Sequence, residues 1–277
     1  MNERAAGARR WTNKVPEVTL AFWVIKVLST TVGETGADYL AVHVGLGATV
    51  TTLITASLLV ITLILQLRES RLVEWKYWLT VVLLSVVGTQ LTDALTDGLE
   101  VSLYWSTLAF SLALAATFTA WYARERTLSI HSIVTLPREL YYWTAILFTF
   151  ALGTAAGDLA TEALGLGFQL GVFMFGALIA SCATAYLLGA DSVLTFWLAY
   201  ILTRPLGASL GDLLSQSQNY GGVGLGTIYT SLAFLAVIVG LVAWCTVRRA
   251  SRGNQEDAAP EPHSSRFDAS STNRSSP

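Results

Sequence analysis

Charge is scarce in this chain. Of its 277 residues only 13% are Asp, Glu, Lys or Arg, while 53% are hydrophobic. A soluble domain carries about 25% charged residues to keep its surface hydrated. The deficit and the positive mean hydropathy exclude an ordinary soluble globule and point to an integral membrane protein. Cysteine is scarcer still. Cys182 and Cys245 sit in apolar runs without metal or redox spacing, which excludes a disulfide framework and leaves them as helix-packing residues. The N-terminus lacks a short apolar core followed by a small-residue cleavage site, so no cleaved signal peptide is expected. There is no P-loop, no HExxH and no Ser–His–Asp pattern, and "GGVGLG" at 221–226 has no strand before it and opens an apolar run. The sequence therefore predicts no enzyme, no catalytic residue, no cofactor and no nucleic-acid partner.

Long apolar runs are what the chain does have. A hydrocarbon core about 30 Å thick needs about 20 residues per helix. Eight runs qualify, roughly 17–40, 46–67, 75–97, 103–122, 140–162, 166–188, 192–216 and 223–246. The lipid bilayer is thus the first expected partner, and the fold class is an all-α integral membrane protein of eight transmembrane helices. Basic residues lie on one side of this arrangement: Arg4, Arg9, Arg10 and Lys14, then Arg68, Arg71 and Lys76, then Arg124, Arg126 and Arg138, then Arg248, Arg249 and Arg252. The turns on the other side hold no Lys or Arg. By the positive-inside rule both termini are cytoplasmic. Residues 1–14 read as a cytoplasmic N-terminal segment, and the Ser-, Asn-, Asp- and Pro-rich stretch 247–277 as a disordered tail that cannot bury a core.

One pattern recurs four times without gaps: Trp, nine residues, Gly, four residues, Asp. It reads "WVIKVLSTTVGETGAD" from Trp23, through Gly33, to Asp38. It returns with Trp78, Gly88 and Asp93, with Trp143, Gly153 and Asp158, and with Trp197, Gly207 and Asp212. Gly-Leu-Gly opens the second helix at 45–47, 165–167 and 224–226, and is missing from the second unit. The transmembrane domain 15–246 is therefore a tandem array of two-helix units, about 15–70, 71–126, 136–190 and 191–246. Over these residues the chain resembles the bacterial membrane-anchored proteins described as four tandem repeats of unknown function, with two transmembrane helices and one tryptophan per repeat. That resemblance implies a multi-pass protein of the bacterial cytoplasmic (inner) membrane. It supplies no catalytic or substrate-binding role.

Two spans per unit make the repeats parallel, so equivalent residues share a depth in the membrane. Asp38, Asp93, Asp158 and Asp212 fall about 19–22 residues into their helices, close to 30 Å up at 1.5 Å per residue. They predict a tier of four carboxylates near the outer side. One turn away lie Glu34, before its Asp, and Asp97, Glu162 and Gln216, after theirs, on the same helix faces. Ionised carboxylates in lipid cost several kcal/mol, so the set faces the bundle interior or a water-filled cavity. The transport reading makes Glu34, Asp38, Asp93, Asp97, Asp158, Glu162 and Asp212 a pathway for a small solute, a cation, with possible proton coupling. The structural reading makes them caps and inter-turn bonds in a scaffold or partner subunit. Lys26 and Arg204, the basic residues within spans, are expected as counter-charges to the cluster, with snorkelling or a structural ion pair as the alternative. Pro205 is expected to kink its helix. The four motif glycines suit close helix approach, and the four tryptophans suit interface anchoring or packing on the next repeat. His43 beside Asp38 is a candidate metal ligand, with a solvent-exposed loop histidine as the other reading.

Overall fold

The computed structural model describes residues 12–40, 44–45 and 47–257, apart from the side chains of 34, 37, 38 and 252–257. Among the described residues the chain is helical throughout, without strands. Eight long helices follow one another: α1 (Leu20–Asp38), α2 (Gly47–Arg68), α3 (Glu74–Asp93), α4 (Leu103–Glu125), α5 (Leu136–Asp158), α6 (Gly167–Leu187), α7 (Ser192–Ser215) and α8 (Thr227–Asp257). Side-chain caps set three of the starts. Thr19 accepts from the Phe22 amide at 3.4 Å, Thr135 from Arg138 at 3.5 Å and Asp191 from Leu194 at 2.8 Å, each satisfying an amide that the first helical turn leaves open.

Seven of the eight, all but α1, are long and apolar enough to cross a membrane. In α1 the apolar stretch within the described side chains is Leu20–Gly33. α8 continues to Asp257, past residue 247, where the sequence reading began its tail. A helix already nucleated by an apolar segment extends cheaply through residues such as Arg, Gln and Glu. Pro205 does not break α7, which remains helical from Ser192 to Ser215.

The odd helices form a closed ring. α1 packs on α3, α3 on α5, α5 on α7, and α7 back on α1. The even helices lie outside, each on the odd helix of the following unit: α2 on α3, α4 on α5, α6 on α7 and α8 on α1. Burial divides accordingly, with 50–61% of the apolar windows of α3, α5 and α7 buried against 11–17% for α2, α4, α6 and α8.

The motif glycines explain how four helices close so tightly. A Cβ at Gly33 would collide with Ser85, one at Gly88 with Phe150, one at Gly153 with Arg204, and one at Gly207 with Thr30, each closer than 3.0 Å. Each clash partner lies three residues before the motif glycine of its own unit. One contact is thus repeated around the ring, and removing the side chain lets the backbones approach. The even helices turn back through glycines with positive φ, Gly45 and Gly47 (72° and 74°), Gly165 and Gly167 (70° and 71°), and Gly224 and Gly226 (85° and 81°). The second unit lacks this pair and uses Glu100 at φ 54° instead.

Candidate functional site

Where the odd helices end, α3 and α5 pass directly into π-helical turns, Ala94–Gly98 and Leu159–Ala163. Such wide turns are costly and concentrate at functional sites. Here they follow Asp93 and Asp158 and carry Asp97 and Glu162. Together with α7 they enclose a cavity of about 280 Å³ whose lining includes Asp93, Asp97, Asp158, Glu162, Asp212 and Gln216. Three repeats therefore deliver their motif aspartates to a single space. The aspartates are half-buried, and Asp97 and Glu162 are exposed at the rim. The side chains of Asp38 and Glu34 lie outside the described residues, as does His43. Among the described residues no three of His, Cys, Asp and Glu stand close enough to hold a metal ion. The arrangement gathers five carboxylates around one small, partly desolvated space.

Beneath the carboxylates lies a cationic layer. Arg204, fully buried, donates from Nε and Nη2 to Thr154 Oγ1 at 3.0 and 2.8 Å, from Nη1 to the Thr30 carbonyl at 3.2 Å, and from Nη2 to Thr89 Oγ1. Thr89 and Thr154 each follow a motif glycine, so equivalent positions of adjacent repeats converge on one guanidinium. Lys26 is also fully buried. Its ammonium lies 4.1 Å from the Phe150 ring centroid and 4.3 Å from that of Tyr200, and donates to Thr30 Oγ1 at 3.5 Å. Among the described residues no ion pair involves Lys26. The faces of two aromatic rings stand against this charge.

Below the cations an aromatic layer closes the ring. Each motif tryptophan packs on the ring that precedes the tryptophan of the previous unit. Trp78 meets Phe22 at 5.3 Å, Trp143 meets Tyr77 at 5.4 Å, Trp197 meets Tyr142 at 6.2 Å, and Trp23 meets Phe196 at 5.6 Å. Phe22, Tyr77, Tyr142 and Phe196 are thus part of the motif. The signal was plain in the sequence, because an aromatic precedes every motif tryptophan. At the base Glu139 is buried and accepts from Lys14 Nζ at 2.5 Å and from Gln66 and Trp143, both at 3.5 Å. No local pattern announces that cluster, because Lys14 precedes the first repeat, Gln66 lies at the end of that repeat and Glu139 opens the third.

The fourfold geometry matches what a comparison of sequences finds. The family described as Repeat of Unknown Function (DUF347) matches at residues 21–71, 76–127, 141–189 and 195–251. The chain belongs to this family. Each matched repeat holds one inner and one outer helix, so a DUF347 repeat is here one quarter of a closed ring. No curated protein and no solved structure matches the chain.

Proposed function

We propose that this DUF347 protein is a multi-pass protein of the bacterial cytoplasmic membrane that takes up a small cation in the carboxylate cavity and moves it across. The observation that carries this reading is the convergence of Asp93, Asp158 and Asp212, with Asp97 and Glu162, on one cavity. A membrane-embedded carboxylate costs several kcal/mol, and capping of separate helix ends does not by itself require these groups to share one cavity. The seven long apolar helices support the membrane assignment. The one-sided Lys and Arg distribution supports cytoplasmic termini and an outward-facing cavity.

The layers beneath the cavity set the mechanism. A cation leaving it toward the base meets Arg204, Lys26 and then the packed aromatic ring. Fixed positive charge on a pore axis excludes cations, so passage requires a rearrangement of the odd helices and not a standing channel. A non-transporting scaffold is the competing reading, and the same closed layers favour it. Purified protein in liposomes, loaded with a pH-sensitive dye and challenged with a panel of cations, separates the two. Cation-dependent flux that is lost in Asp158→Asn and Asp212→Asn, with both variants folded and inserted, supports transport. Wild-type protein that moves no cation, or Asn variants that transport normally, makes the carboxylates structural.

A further inference from the structure

The ring is not evenly filled. Trp78, Trp143 and Trp197 are 2–4% exposed, whereas Trp23 is only partly buried. Against Trp23, at the seam where α7 meets α1, lies a second pocket of about 610 Å³, far from the carboxylates and lined from α1, α6, α7 and the α4–α5 link. The repeat register shows why it exists. The alignment that carries Trp78 onto Trp143 carries Phe110 onto Phe175, and both are buried. The same alignment carries Phe118 onto Ala183 and Trp121 onto Tyr186.

In the preceding seam Phe118 and Trp121 pack on Trp197 at 4.9 and 6.0 Å, Trp121 is fully buried, and the Leu128 carbonyl accepts from the Trp197 indole at 3.0 Å. In the last seam Ala183 supplies no ring and Tyr186 is 56% exposed. The link between α6 and α7 is short, spanning only 188–191. Phe118 thus has no counterpart ring in this seam, the counterpart of Trp121 is turned to the surface, and the space left is of a size that holds drug-sized ligands.

We infer that this seam pocket binds an aromatic organic cation, whose rings take the places that Phe118 and Trp121 fill in the neighbouring seam. The walls are aromatic where the missing rings would stack, with Trp23 and Phe196 facing the space. Among the lining residues Glu17 is the one acid, His131 is the one side chain that can take up a positive charge, and no Lys or Arg is present. Aromatic faces with a carboxylate at the mouth select positive charge. The site is independent of the proposed cation pathway, since the two share no lining residue.

Tetraphenylphosphonium and tetraphenylborate have the same shape and opposite charge, so they test the claim directly. Full-length protein in detergent is titrated with each by calorimetry and by tryptophan fluorescence, with empty micelles as the blank. Saturable binding of the phosphonium, at least roughly tenfold tighter than of the borate, is the expected result. Ala183→Phe, which restores the ring of the neighbouring seam, abolishes that binding, and Ala183→Leu weakens it should the larger ring prevent folding. Glu17→Gln narrows the preference for the phosphonium. Asp212→Asn leaves binding unchanged, so failure here and failure of the transport reading are read separately. Equal binding of both ions, no saturable binding, or unaltered binding by folded Ala183→Phe or Ala183→Leu protein overturns the site.

Discussion

Glu100 holds a left-handed backbone where the first and third repeats place Gly45 and Gly165. For a residue with a Cβ that conformation costs about 1–2 kcal/mol, and glycine gives back roughly 0.5–1 kcal/mol through its freer unfolded chain. Glu100→Gly is therefore expected to stabilise the protein by about 0.5–1 kcal/mol, read as a raised midpoint of thermal unfolding in detergent. An unchanged or lowered midpoint would mean that the Glu100 side chain contributes contacts of its own. Lys26 presents the opposite balance. Two ring faces offer about 2 kcal/mol to a desolvated ammonium, less than the several kcal/mol that burying an ion costs. Lys26→Met keeps the length of the side chain and removes the charge, so the variant is expected to unfold about 1–4 kcal/mol later than the wild type, by the same assay. A stabilised variant that has also lost cation flux would show the charge is retained for function. A destabilised one would show that the ring depends on it.

Helix packing makes its own demands, and Gly88 states them most sharply. A methyl there would stand 2.6 Å from Phe150 Cβ and 3.3 Å from the Ala151 amide nitrogen on α5. The latter is backbone and cannot swing away. Gly88→Ala is expected to cost about 1–3 kcal/mol by overpacking. Gly176→Ala on α6, where a Cβ meets nothing within 4 Å, serves as the control and should be neutral or slightly stabilising. Equal behaviour of the two variants would refute the close-packed ring. This contrast also marks what the sequence could disclose. Trp, Gly and Asp recur because every unit must offer the same residues to the same neighbour, so the repeat and its helices were readable from spacing alone. The aromatic before each tryptophan was equally visible, yet its meaning depends on a contact between different units. The surroundings of Lys26 were not readable, since Phe150 and Tyr200 reach it from two other repeats. Nor was the length of α8, because a polar sequence is compatible with both helix and coil.

At the scale of the whole molecule, parallel repeats can stack into an open array or close on themselves, and spacing cannot distinguish the two. Closure here rests on the last unit treating the first as its successor: Gly207 abuts Thr30, Trp23 packs on Phe196, and Thr31 Oγ1 donates to the Gly207 carbonyl at 2.8 Å. Among the described residues, a ring of four two-helix units has the start of the chain at residue 12, the end of α8 and the basic turns after α2 and α4 at one end, with the acidic cavity at the other. The proposed membrane placement then makes a sharp prediction about sidedness. Single cysteines at Ser70, in the basic turn between α2 and α3, and at Ser251, late in α8, should react with an impermeant maleimide only after the membrane is opened. A cysteine at Asn219, beyond the end of α7 near the carboxylates, should react in intact cells. Cys182 and Cys245 are first replaced by alanine so that the added thiols are read alone. Any one of the three reacting from the wrong side would put the cavity in the cytoplasm or break the parallel arrangement. A cavity facing inward could not gather cations from outside, and the transport proposal would have to be withdrawn or reversed in direction.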